Sequence, residues 1–203
     1  MCDGKLVLAL PDWIGPFLEK QDSVFKDIED RMRLAIELSR LNVEHKTGGP
    51  FGAGIFERES GRLIAVGVNV VLDTNCSLAH AEMVCIGLAQ QKLKTFDLGA
   101  EGLPACELAS STEPCAMCLG AVPWSGVRRL ICGACGQDAC EIGFDEGVKV
   151  PDWADTLESR GITVLPDILR EEAREILIKY KESGGLIYNG RQATFPTEES
   201  DQS

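Results

Sequence analysis

Apolar positions change their spacing several times along the chain, and each change marks an element. Over residues 27–45, Ile28, Met32, Ala35, Ile36 and Leu41 recur at helical intervals behind the acidic start Asp27, Glu29 and Asp30, which predicts a first helix. Gly48-Gly49-Pro50 ends it. Two short apolar runs, 51–56 and 63–71, flank the polar turn ERESGR and predict a β-hairpin. A second helix is predicted over 77–94, with Met83, Ile86, Leu88 and Leu93 inward. Then come a strand over 103–110, a helix carrying Cys115 that ends at Pro123 and Gly126, and a strand over 127–134. A loop at 141–147, a short helix near 152–160, a strand at 162–165 and an amphipathic helix over 168–181, capped by Gly184-Gly185, complete the series. Strands alternating with helices predict an α/β fold, a parallel sheet with helices on its faces.

The ends of the chain break this pattern. Pro11, Gly15 and Pro16 interrupt residues 1–25, which predicts an extended arm. Residues 26–190 suit one domain with a full core, and 191–203, ending PTEESDQS, predict a disordered acidic tail.

Charge narrows the partners. The net charge of −12 argues against a nucleic-acid-binding protein or one docked on anionic membrane, since both surfaces require Lys and Arg. LVLAL at 6–10 is too short to span a bilayer and stops at Pro11. Nine cysteines, an odd number with no secretory leader before them, point to a reducing compartment and hence the cytoplasm. Cys2, Cys76, Cys85, Cys106 and Cys140 read as buried or incidental thiols.

The stretch SSTEPCAMCLGAV at 110–122 is where chemistry concentrates. Thr112 is the expected N-cap and Pro114 suits the first turn. Cys115 and Cys118 then share a face at the positive end of a helix, which favours thiolates and supplies half of a zinc site. The sequence has two histidines. His45 sits at a fraying helix end, whereas His80 opens a helix and is the better ligand. One His and two Cys leave a fourth position for water, as in catalytic zinc sites. Cys132 and Cys135 form a second Cys-x-x-Cys pair, but on a strand they would point to opposite faces about 10 Å apart, too far to share an ion. Glu82, two residues after His80, is placed to take a proton from a zinc-activated water and pass it on. Residues two apart on an ideal helix face away from each other, so this pairing requires the helix to begin at His80.

His80-Ala81-Glu82, 34 intervening residues and Pro114-Cys115-Ala116-Met117-Cys118 together resemble the H-x-E … P-C-x-x-C signature of the zinc cytidine-deaminase-like superfamily, with the Glu as general acid/base. Within it the chain most resembles bacterial guanine deaminases. The likeness lies in GGPFGA at 48–53, Asn69, SSTEPCAMCLGAVPWSGV at 110–127, IGFDEG at 142–147 and LIYNGR at 186–191. The resemblance implies a three-layer α/β/α sandwich around a mixed, mostly parallel five-stranded sheet, one zinc ion held by His80, Cys115 and Cys118, and a homodimer. It also implies a substrate pocket in which Asn69 and Ala81 contact the base, Phe51 and Phe144 wall it in, Trp124 closes one side and Tyr188 covers it.

Guanine offers two donors, N1–H and the 2-amino group, on its Watson–Crick edge, and a buried carboxylate is their complement. Asp145 and Glu146 are therefore the expected specificity residues, with Glu146 facing the substrate and helping Glu82 move protons. The expected reaction is hydrolysis of guanine to xanthine and ammonia. Alternatives are deamination of another amino-heterocycle (a guanine nucleoside, cytosine, a pterin or a triazine such as ammeline), deamination of tRNA adenosine, and a non-catalytic zinc-binding module.

Overall fold

In the computed structural model, which describes residue 4 and residues 6–190, consecutive residues of the central strands serve opposite cores. On β3 (Cys106–Thr112), Leu108 packs with Ala53, Ile55 and Cys85, whereas Ala109 packs with Met32 and Leu38. On β4 (Arg129–Ala134), Leu130 and Ile131 divide in the same way. Strands buried along their length, as β3 is at every position, are what a sheet covered on both faces produces.

The sheet has the order β2-β1-β3-β4-β5. β1 (Gly52–Glu57) and β2 (Leu63–Val68) form the predicted hairpin, and β1 also runs antiparallel to β3. β3, β4 and β5 (Thr163–Leu165) pair in parallel, so β1 alone opposes the direction of the other four. The sheet is mixed and mostly parallel, as expected. One core is covered by α2 (Ile28–Glu44), α6 (Gly136–Ile142) and α8 (Arg170–Glu182), the other by α4 (Ala81–Leu93), α5 (Ala116–Ser125) and α7 (Trp153–Glu158). The result is a three-layer α/β/α sandwich.

Three expectations need correction. The arm is not wholly extended: Ile14–Leu18 form α1, because a proline in the third position of a helix lies where the backbone N–H has no partner to lose. Val24 then bridges to Arg62 beside β2. The loop expected at 141–147 begins only at Gly143, because α6 occupies 136–142. A further turn of helix, α3 (Val71–Thr74), fills part of the predicted β2 run. The expected acidic tail, 191–203, lies outside the described residues. Among those residues, no helix is long and apolar enough to cross a membrane.

Strand β3 also buries a charge. Glu107, fully buried, pairs with Arg31 of α2 and, at 2.9 Å, with Arg129 of β4, joining one helical layer to two strands.

Candidate active site

The two metal motifs meet because both helices begin at their ligands. His80 is the N-cap of α4, in extended backbone (φ −70°, ψ 154°), and Cys115 is the N-cap of α5 (φ −62°, ψ 170°). Thr112 is thus the last residue of β3 and not the cap, and Pro114 stands just before the helix. The start of α4 at His80 meets the condition for His80 and Glu82 to face one point.

His80 Nδ1 lies 3.5 Å from Cys115 Sγ and 3.6 Å from Cys118 Sγ. Tetrahedral zinc with its usual Zn–N and Zn–S bond lengths places such donors about 3.6 Å apart, so the three side chains fit the ion. Among the described residues these three form the cluster able to hold a metal. Cys115 is pushed down to about 4, chiefly by the hydrogen bond from Cys118 and then by His80, and is therefore primed as a thiolate ligand. Burial works against a charged His80, but the Cys115 hydrogen bond and the charges of Glu82 and Cys115 outweigh it and raise its pKa. Cys132 is buried on β4 and Cys135 caps α6, so the second Cys-x-x-Cys contributes nothing to this cluster.

A cavity of about 320 Å³ opens onto the cluster. Its wall includes His80, Glu82, Cys115, Phe51, Phe144, Asp145, Glu146 and Tyr188, eight of the twelve residues expected at the site. Phe144 lies at the centre of the aromatic wall, with edge contacts to Phe51 at 5.0 Å and Tyr188 at 5.2 Å between ring centroids. Of the other four, Cys118 is a buried member of the metal cluster and Ala81 is buried at the first position of α4. Asn69 sits directly behind the wall, just past β2, its N–H donating to the Phe51 carbonyl at 3.1 Å. Trp124 does not close this cavity. It lies nine residues after Cys115, two and a half helical turns on, and therefore on the opposite side of α5, 85% exposed.

Three buried polar atoms around the pocket have no hydrogen-bond partner: Asn69 Nδ2, Glu146 Oε2 and Tyr188 Oη. They are a donor, an acceptor and a hydroxyl able to serve as either. Unpaired buried groups of this kind are costly, and a ligand that pairs them recovers that cost. Glu82 is nine-tenths buried, and burial followed by the charge of Cys115 raises its pKa. Glu146 is pushed up to about 8, mainly by burial and further by the charges of Cys115 and Glu82, while Lys149 opposes the shift.

Two residues that the sequence reading does not single out, Glu113 and Asn189, also belong to the site. Glu113 lines the cavity between Thr112 and Pro114, and the motif drew attention only to its cysteines. Asn189 accepts from the Asp145 N–H and donates to the Gly143 carbonyl, each at 2.9 Å, so it ties the C-terminal segment to the acidic loop. Its presence in LIYNGR was the available signal.

Residues 25–134 match the cytidine and deoxycytidylate deaminase zinc-binding region. The chain belongs to this deaminase family. As a zinc-dependent deaminase it acts on C–N bonds, and His80, Cys115 and Cys118 are the residues placed to coordinate one zinc ion. The deaminase is 40% identical to the guanine deaminase of Bacillus subtilis over 134 residues, 66% of this chain and 81% of that protein. It is similar in structure to the guanine deaminase from Nitrosomonas europaea, with TM-score 0.84 and 48% identity over 88% of this chain and 97% of that one. A structure in complex with 2,6-diaminopurine is equally similar, with TM-score 0.84 and 49% identity over 91% of this chain and 97% of that one.

Proposed function

We propose that this deaminase hydrolyses guanine to xanthine and ammonia. The observation that carries the reading is the set of unpaired buried atoms near the metal cluster, above all the acceptor Glu146 Oε2, whose residue lines the aromatic-walled cavity, and the donor Asn69 Nδ2 behind its wall. Guanine has a donor edge for Glu146 and acceptors, O6 and N7, for Asn69 and Tyr188. The similarity to guanine deaminases over most of the chain supports the same choice.

When bound by His80, Cys115 and Cys118, zinc lowers the pKa of a water toward about 7 and so supplies hydroxide at neutral pH. Glu82 does the proton work. It accepts the proton of the attacking water and delivers it to ring N3 as the new C–O bond forms at C2. Its raised pKa suits this task, since a carboxylic acid poised nearer neutrality can both hold and release the proton. Glu82 then takes the proton of the new C2 hydroxyl and, with Glu146, passes it to the amino nitrogen; the C2–N bond breaks, the nitrogen departs as ammonia and the C2 carbonyl of xanthine is left. Phe51 and Phe144 stack around the ring and limit water in the pocket, and Tyr188 covers it. Asp145 orders the acidic loop, its carboxylate accepting from the Gly147 N–H at 2.8 Å.

The protein is further proposed to act in the cytoplasm, where its thiols stay reduced, and as a homodimer. Trp124 and Phe96, 85% and 86% exposed, are apolar surface that suits a partner subunit. Sedimentation of the zinc-loaded protein tests the dimer. For the reaction, the test is the conversion of guanine to xanthine by zinc-loaded protein, followed by absorbance. Turnover that disappears on chelation is expected; zinc-loaded, folded protein with no xanthine formation would overturn the reading.

A further inference from the structure

Lys149 lies outside the cavity wall but touches two residues within it. Its ammonium group donates to Glu113 Oε1 at 2.5 Å and to the Pro114 carbonyl at 3.1 Å, both on the link that leads into Cys115. Nζ also lies 3.7 Å from Glu146 Oε2, near enough for charge attraction and too far for a hydrogen bond. Two of its three donors are therefore spent on the Cys115 link, and Glu146 Oε2 keeps its acceptor capacity. The backbone fastens the same loop a second time, because the Ala116 N–H, the first free donor of α5, bonds the Glu146 carbonyl at 2.9 Å. Glu146 is thus held from its main chain and steered from its side chain.

Gly136, the first residue of α6, makes room for this arrangement. A Cβ there would lie 2.6 Å from Lys149 Nζ and 3.2 Å from Glu113 Oε1. Gly136 is absent from the residues with positive φ, so its backbone does not demand glycine; the space does. Burial works against a charged Lys149, but the hydrogen bond to Glu113 outweighs it and raises its pKa, so the ammonium persists at neutral pH.

We propose that Lys149, braced by Glu113 and accommodated by Gly136, is a positioning residue that holds the Glu146 carboxylate toward the substrate while leaving its free oxygen open to guanine. The inference rests on the reading of Glu146 as the base-recognising acceptor. It predicts that Lys149 matters to catalysis only through Glu146, which a merely structural ion pair would not require.

The test is a double-mutant cycle on the zinc-loaded full chain, with guanine as substrate. Glu146→Gln alone should lower kcat/KM; if it does not, the reading of Glu146 fails before Lys149 is in question. Lys149→Met should lower kcat/KM by about tenfold or more, mainly through KM, at unchanged zinc content. In the double variant, Lys149→Met should add little to the loss from Glu146→Gln. Gly136→Ala, which displaces the ammonium without removing it and improves the helix, should reproduce the Lys149→Met loss with no fall in Tm. An impaired Glu146→Gln combined with additive losses in the double variant, or full activity in Gly136→Ala, would overturn the proposal.

Discussion

Asn42 Nδ2 donates to the main-chain carbonyl of Asn69 at 2.8 Å and to that of Gly49 at 2.9 Å, from a fully buried position in the last turn of α2. The relay continues outward. Asn42 Oδ1 accepts from the Thr47 hydroxyl at 2.7 Å, which in turn accepts from Trp13 Nε1 at 3.0 Å. Asn69 is thereby fixed through its backbone; its Oδ1 accepts from the Val71 N–H at 3.3 Å, and its Nδ2 is the donor left without a partner. Asn42→Ala is expected to destabilise the fold by about 2 kcal/mol, since it removes a donor from two buried carbonyls, of which that of Gly49 keeps the Phe51 N–H. It should also raise KM for guanine. Thermal denaturation and steady-state kinetics on one preparation check both effects.

Glu82→Gln should keep its zinc and its fold while kcat falls by about 10²- to 10⁴-fold, the range for loss of a positioned acid/base. Metal analysis beside an ammonia assay decides it. Retained turnover would remove Glu82 from the mechanism.

Gly49 sets the position of Tyr188. A Cβ on Gly49 would collide with Tyr188 Oη, so the Tyr188 ring would have to shift from its place on the cavity wall. Gly49→Ala should therefore raise KM for guanine several-fold, roughly the 1 kcal/mol of one lost contact, with zinc content unchanged. Kinetics and metal analysis of the variant check the split.

Asp138 supplies a pH-dependent contribution to the fold's stability. Burial opposes its ionisation, but hydrogen bonds from Arg170 and from the Cys135 N–H outweigh this and hold its pKa below the ordinary carboxyl value. A depressed folded pKa means stability that is present above the unfolded pKa and lost as pH falls through the folded one. Asp138→Asn should cost about 1 kcal/mol at neutral pH, in the range of a lost helix cap. Its Tm deficit should shrink as the pH is taken below the ordinary carboxyl range. Paired melting curves against pH measure this directly.

These residues also show where the sequence could be read and where it could not. Cys115, Cys118 and His80 were legible because metal chemistry restricts both residue type and spacing, and the major helices because their apolar faces repeat. Residues that act through burial in three dimensions were not. Asn42 is a polar residue inside a helix, and only the fold shows that it faces the Asn69 and Gly49 carbonyls. Lys149 looks like a solvated charge until Gly136, thirteen positions earlier, is seen to make space for it. Helix α6 has too few apolar residues for a period; its signal was local, Cys135 and Asp138 forming a reciprocal cap. Helix α5 starts three residues beyond Thr112, a good cap by type, because β3 pairs Thr112 with Ala134 and so keeps it in the sheet.

The most direct measurement of the central claim is ammonia release by the zinc-loaded protein from guanine, guanosine, cytosine, adenine and ammeline in parallel. A pocket that pairs Glu146 with a donor edge and Asn69 with a ring acceptor predicts release from guanine far above cytosine and adenine, which lack that edge. Ammonia from another of these substrates, with guanine inert, would contradict the assignment of guanine.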